Sequence, residues 1–158
     1  MRLPAPAPDT PTLDQLRTAF GHAGPDTPGR WGSMTCTQMV RHCRKFIDLY
    51  LGRVAVPLPM RLLARLLGPL FLRRALAKSP TATPRNLKTL PGIRSGATPA
   101  GEFEAERTKL LAAFDEVAAL SGTHDHPLYG RMDAGDVVNL IRHHTAHHAN
   151  QFGLLGGS

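Results

Sequence analysis

The sequence predicts an all-α protein: an antiparallel four-helix bundle with an extra helical insertion after the second helix. Three observations carry that expectation. Apolar residues recur at the 3.6-residue helical period in four separate stretches. No stretch alternates apolar and polar residues as a half-buried strand would. A chain of 158 residues, 42% of them hydrophobic, suits one domain with a real core. Residues 12–158 are read as that single helical domain, and the Pro-rich residues 1–11 as a flexible lead-in with no apolar run of the kind a signal peptide needs.

The first helix begins at a capping box, Thr12-Leu13-Asp14-Gln15, in which a hydroxyl and an amide satisfy two of the free N–H groups of a helix start. It runs through Leu16, Ala19 and Phe20, and Gly21 with Gly24-Pro25 closes it. Thr35 and Gln38 form a second box before a helix from Cys36 to Leu51, whose stripe is Met39, Cys43, Phe46, Ile47 and Tyr50. The following stretch, residues 54–79, is the most apolar in the chain, but Arg61, Arg65, Arg73 and Arg74 interrupt it. It is too short and too charged to span a bilayer. Gly68-Pro69 predicts a break into two short helices packed by their Leu faces, with an amphipathic membrane-surface element as the alternative.

Residues 80–99 turn to Pro, Thr, Gly and basic side chains without a period, a loop that either covers a pocket or merely connects. Thr98-Pro99 supplies the cap and first turn of a helix carrying Phe103, Leu110, Leu111, Phe114, Val117 and Ala118. Asp133, with Asp136 three positions on, starts the last helix, where Val137, Leu140 and Ile141 lead into RHHTAHHANQFG, residues 142–153.

Net charge is +7 and the sequence pI about 10.3, so the surface attracts anions: nucleic acid, acidic lipid or an anionic small molecule. Cys36 and Cys43 lie seven residues apart on one helix, roughly 10 Å between Cα atoms at the helical rise, which forbids a disulfide between them. Cys43, among apolar neighbours, is read as a buried structural thiol.

The four histidines are sorted by helical phase. With His144 at zero and about 100° per residue, Val137, Leu140 and Ile141 fall near 20°, −40° and 60°, and His148 near 40°. His144 and His148 therefore sit in the core-facing stripe. His147, near −60°, lies at its edge, and His143, near −100°, on the flank expected to meet solvent. Two imidazoles four residues apart on an inward face reach one ion, whereas two buried rings without partners would be costly. A third ligand must come from another helix, and His42, one position before Cys43 on the flank of the second helix's stripe, is the candidate. No carboxylate falls beside the pair, so His147 or His126 is the candidate for proton transfer; Gln151, near −20°, is placed to hold a ring or cofactor in orientation. His22, His124 and His126 fall in predicted loops.

WGSMTCTQMVRHC and HPLYGRMDAGDVVNLIRHHTAHHANQFG resemble the DinB/YfiT-like superfamily of metal-binding four-helix bundles, and more narrowly a bacterial branch of it classed as a domain of unknown function. The resemblance covers roughly residues 12–154. It implies a triad of one His on the second helix and an H-x-x-x-H pair on the last, matching His42, His144 and His148. It also implies relatives that are thiol-dependent transferases and isomerases.

The expected function is thus a metal-dependent enzyme holding Zn²⁺, or Ni²⁺, Fe²⁺ or Mn²⁺, with a low-molecular-weight thiol or a water as the remaining ligand and a small, anionic substrate. The alternatives are a metal-dependent hydrolase and a non-catalytic metal- or nucleic-acid-binding protein using Arg61, Arg65, Arg73, Arg74 and Arg85. Nucleic acid is the less favoured partner, because aromatics are only 6% and no recognition helix or single-strand stacking pattern occurs. A homodimer and a cytoplasmic location complete the expectations.

Overall fold

A computed structural model describes residues 3–85, 91–97 and 101–156. Both capping boxes form. Thr12 Oγ1 accepts from the Gln15 N–H at 3.2 Å while Gln15 Oε1 accepts from the Thr12 N–H at 2.8 Å, opening α1 (Leu13–Gly21). Thr35 and Gln38 repeat the pattern at the start of α2 (Cys36–Tyr50), which ends one residue before the expected Leu51.

The insertion is one helix, α3 (Leu58–Leu76), with Pro69 inside it, and not the two short helices expected. A proline ring ordinarily collides with the Cβ of the residue before it. Gly68 has none, and the helix passes through. α4 (Phe103–Ala118) follows with Glu102 as its N-cap and no side-chain capping bond; the expected Thr98-Pro99 start lies outside the described residues.

The expectation of no strands is also corrected. β1 (Thr123–His126) and β2 (Gly130–Asp133) pair antiparallel, His124 opposite Met132 and His126 opposite Gly130, whose φ of +73° supplies the left-handed turn residue. Asp133 then serves as the extended N-cap of α5 (Ala134–Gln151), although its side chain makes no capping bond. Asp136 instead accepts from the Leu3 N–H at 3.4 Å. The Pro-rich segment lies against the bundle here: Leu3 enters the core, and Arg142 donates to the carbonyls of Thr10 and Pro11.

α2 packs against α4 and α5, and α1 against the same two helices. Leu16, Phe20, Met39, Ile47, Leu110, Phe114, Val117 and Ile141 fill the centre with almost no exposure, each such side chain contributing about 1.5–3 kcal/mol by leaving water. Phe20 and Phe114 meet edge to face at 5.8 Å. α3 adds Leu72 and Leu76 to this core, seats Gly68 on Tyr129, and joins Met60 and Ala64 to a small cluster of Leu49, Ile93 and Leu128. Its outer face is bare, with Leu58, Leu62, Leu63, Leu66, Leu67, Leu70 and Phe71 each between 55% and 77% exposed. Among the described residues no helix is long and apolar enough to cross a membrane.

Candidate metal centre

α2 and α5 bring His42, His144 and His148 together. One ring nitrogen from each lies within 4.8 Å of the others, and Nε2 of His42 stands 3.2 Å from Nε2 of His144. Helical phase selected His144 and His148 on α5, with His42 the candidate on the flank of α2's stripe, and α2 and α5 are in contact. Ring centroids are 4.7–5.0 Å apart in all three pairings.

Hydrogen bonds set the direction of the lone pairs. His42 Nδ1 lies 2.9 Å from the Ile93 carbonyl, which can only accept, so Nδ1 carries the proton and Nε2 presents its lone pair to the cluster. Gln151 Nε2 donates to the Trp31 carbonyl at 2.8 Å, which fixes that amide and leaves Oε1 to accept from His148 Nδ1–H at 2.8 Å. His148 thereby also turns Nε2 inward. Phe46, one turn after His42, stacks flat on His144 at 3.5 Å and holds that ring in place. His144 is half-buried, whereas His42 and His148 are buried.

Burial keeps all three rings neutral. Loss of water pushes the His42 and His144 pKa values down, His144 far below the ordinary 6.5, with the neighbouring rings adding to the effect on His144. His148 is pushed down to about 3, by burial first and the adjacent His42 second. The lone pairs of His42 and His148 turn toward the cluster, His144 brings its Nε2 there, and its buried Nδ1 has no partner among the described residues. A tetrahedral ion with nitrogen ligands at ~2.0–2.1 Å needs its donors roughly 3.3–3.4 Å apart, close to the 3.2 Å found between His42 and His144. The residues fit a divalent metal, and neutral imidazoles favour Zn²⁺-type ions over the oxygen-seeking Mg²⁺ and Ca²⁺.

Two described pieces of the segment between α3 and α4, around residues 78–80 and 93–96, lie against α5 and α2 here. Side chains one and two turns apart along α2, Gln38, His42 and Lys45, hold the carbonyls of Gly96, Ile93 and Arg94. On α5, His143 Nε2 lies 3.2 Å from the Lys78 carbonyl and His147 Nδ1 3.3 Å from that of Pro80. His143 is accordingly buried, 7% exposed, and not solvent-facing as its phase predicted. Helical phase counts only the bundle core and cannot see a covering loop. His147, partly exposed, lies 5.1 Å from the His148 ring and 6.0 Å from Trp31, over which Arg85 stacks at 4.4 Å.

His126 stands apart from the three rings. It is buried on β1 between Tyr50 and Tyr129, at 4.1 and 4.8 Å, and its Nδ1 accepts from the N–H groups of Leu128 and Tyr129. Desolvation drives its pKa to about 3, so it is neutral with a buried Nε2–H that has no partner among the described residues. His22 caps the end of α1, and His124 reaches the Ser121 carbonyl at the surface. Reading the sequence missed Phe46 as a ring support, Trp31 as the anchor of Gln151, and Ile93. For Phe46 a signal was present, because a residue four after a ligand shares its helix face. Ile93 acts through its backbone, which no side-chain pattern reveals.

A helical bundle that gathers three neutral imidazoles from two helices has a site that could hold a metal ion and fits a metal-binding protein. The chain belongs to the DinB superfamily, whose family model matches residues 9–152. No curated protein and no solved structure matches the chain.

Proposed function

We propose that the chain is a metal-dependent enzyme in which His42, His144 and His148 hold a divalent ion, Zn²⁺ first, and a low-molecular-weight thiol transfers its sulfur to a small electrophile. The observation that carries this reading is the convergence of the three donor atoms within 4.8 Å, with two tautomers fixed by outward hydrogen bonds. Three protein ligands leave a coordination position for an exogenous group, as catalytic rather than closed structural sites do. An ion held there supplies Lewis-acid chemistry, lowering the pKa of a water or thiol ligand toward neutrality.

The chain's own residues do the rest. Ile93 and Gln151 keep the lone pairs of His42 and His148 turned inward, and Phe46 keeps His144 from rotating. His147 donates Nδ1–H to Pro80 and keeps its Nε2 lone pair for a proton from the incoming thiol. The sulfur then bonds to the electrophilic carbon, and the leaving group departs with its electron pair. Arg85 over Trp31, beside His147, gives an anionic thiol or substrate a cationic approach. Water in place of the thiol would make the same site a hydrolase, with His147 in the same role.

The test is metal content by plasma mass spectrometry on untagged protein, alongside His42→Ala, His144→Ala, His148→Ala and the control His143→Ala. Near one ion per chain in wild type and control, lost from the other three, is the expected result. Consumption of an electrophile that depends on added thiol separates transfer from hydrolysis. Folded wild type that takes up no ion after supplementation with Zn²⁺, Ni²⁺, Fe²⁺ or Mn²⁺ overturns the proposal.

A further inference from the structure

We propose that the outer face of α3 is a docking surface for an anionic lipid bilayer, on which the helix lies flat. Leu58, Leu62, Leu66 and Leu70 follow one another at four-residue spacing, and Leu63, Leu67 and Phe71 form a second row beside them. All seven are more than half exposed, forming a continuous apolar strip of a kind monomers rarely leave in water. The opposite face of the same helix is already used, through Leu72, Leu76 and Gly68 on the bundle, so the strip is held outward and has no partner among the described residues.

Charge selects the occupant. α3 carries Arg61, Arg65, Arg73 and Arg74 and no Asp or Glu. Elsewhere Arg41, Arg44, Arg53 and Arg107 are matched to carboxylates, whereas among the described residues none of these four makes an ion pair. By helical phase Arg65 borders the strip and Arg73 and Arg74 stand at its C-terminal end, while Arg61 falls on the bundle-facing side with its Nε buried. Apolar side chains entering the acyl boundary with guanidinium groups at headgroup level are how an interfacial helix binds. A second copy fits worse: pairing two α3 faces would bring Arg65, Arg73 and Arg74 of each copy into one interface without a carboxylate from either helix.

The experiment is co-sedimentation of the full chain with vesicles of phosphatidylcholine alone and of phosphatidylcholine and phosphatidylglycerol in equal parts. Wild type is expected to bind the mixed vesicles and release as salt is raised. Leu62→Ser/Leu66→Ser/Leu70→Ser should weaken binding at least ~tenfold, and Arg73→Gln/Arg74→Gln about tenfold, with thermal melting by circular dichroism confirming that these exposed substitutions leave the fold intact. Three results overturn the proposal: no binding of wild type to the mixed vesicles, equal binding to neutral ones, or full binding by the triple-Leu variant. A dimer seen by light scattering that the triple-Leu variant converts to monomer would assign the face to a second copy instead.

Discussion

Acid should unfold the metal-free protein early, and His126 allows the effect to be isolated. Its folded pKa is pushed from the ordinary 6.5 to about 3 by burial, as is that of His148. Above pH 6.5 both rings are neutral whether the chain is folded or not, and they contribute no pH dependence. Between 6.5 and 3 the unfolded chain takes up a proton at each ring that the folded one refuses, so stability falls with falling pH. At pH 5.5 each ring costs about 1.4 kcal/mol and the pair about 3 kcal/mol; at pH 4.5 the pair costs about 5 kcal/mol, comparable to the whole stability of an ordinary domain. The lowered pKa values of His42, His143, His144 and His147 steepen the slope further. Urea unfolding in the presence of a chelator at pH 7.5 and 5.5 should show a midpoint drop of at least about 1.5 M, given a slope near 2 kcal/mol/M. His126→Leu should lose about 1.4 kcal/mol less than wild type over that interval, whatever its absolute stability. Parallel pH profiles for the two proteins would refute the neutral-His126 argument.

Gln151→Leu removes the acceptor for His148 Nδ1 and the tie to Trp31; ion affinity measured by competition with a chromogenic chelator should fall about 10–100-fold, with the fold retained. Gly68→Ala would set a Cβ 2.4 Å from Tyr129 Cδ1, and should cost about 1–3 kcal/mol despite the better helix propensity of Ala, lowering Tm by about 2–4 °C for each kcal/mol. An unchanged melting curve would mean that the Tyr129 ring gives way freely. Burial pushes the Cys36 thiol up to about 11 and Cys43 higher still, so intact-mass spectrometry should find no iodoacetamide adduct on the native protein and two on the urea-unfolded chain.

The parts of this molecule legible in the sequence are those governed by local rules. Thr12 with Gln15 and Thr35 with Gln38 fix two helix starts through contacts three residues apart, and a 3.6-residue stripe points His144 and His148 at the core. The hairpin was illegible because THDH and GRMD bury few apolar side chains; its turn at Gly130 and the closure of β1 on β2 hold it instead. The continuity of α3 depends on Gly68 and Pro69 together, whereas each alone argues for a break. His143 is buried by the Lys78 backbone, 65 residues away in sequence, and no periodicity within α5 encodes that.

Ile93 ties the covering segment to the centre through a single carbonyl. Since that carbonyl determines which nitrogen of His42 is free, the conformation of residues 91–97 and the affinity of the three rings for an ion form one coupled equilibrium. An ion bound at the inward lone pair would hold the segment down, and by the same free energy anything that drew the segment away would weaken the ion's hold. Gln38 and Lys45 add further grips on the segment, which makes it a point where a molecule that never touches the histidines could raise or lower the occupancy of the centre.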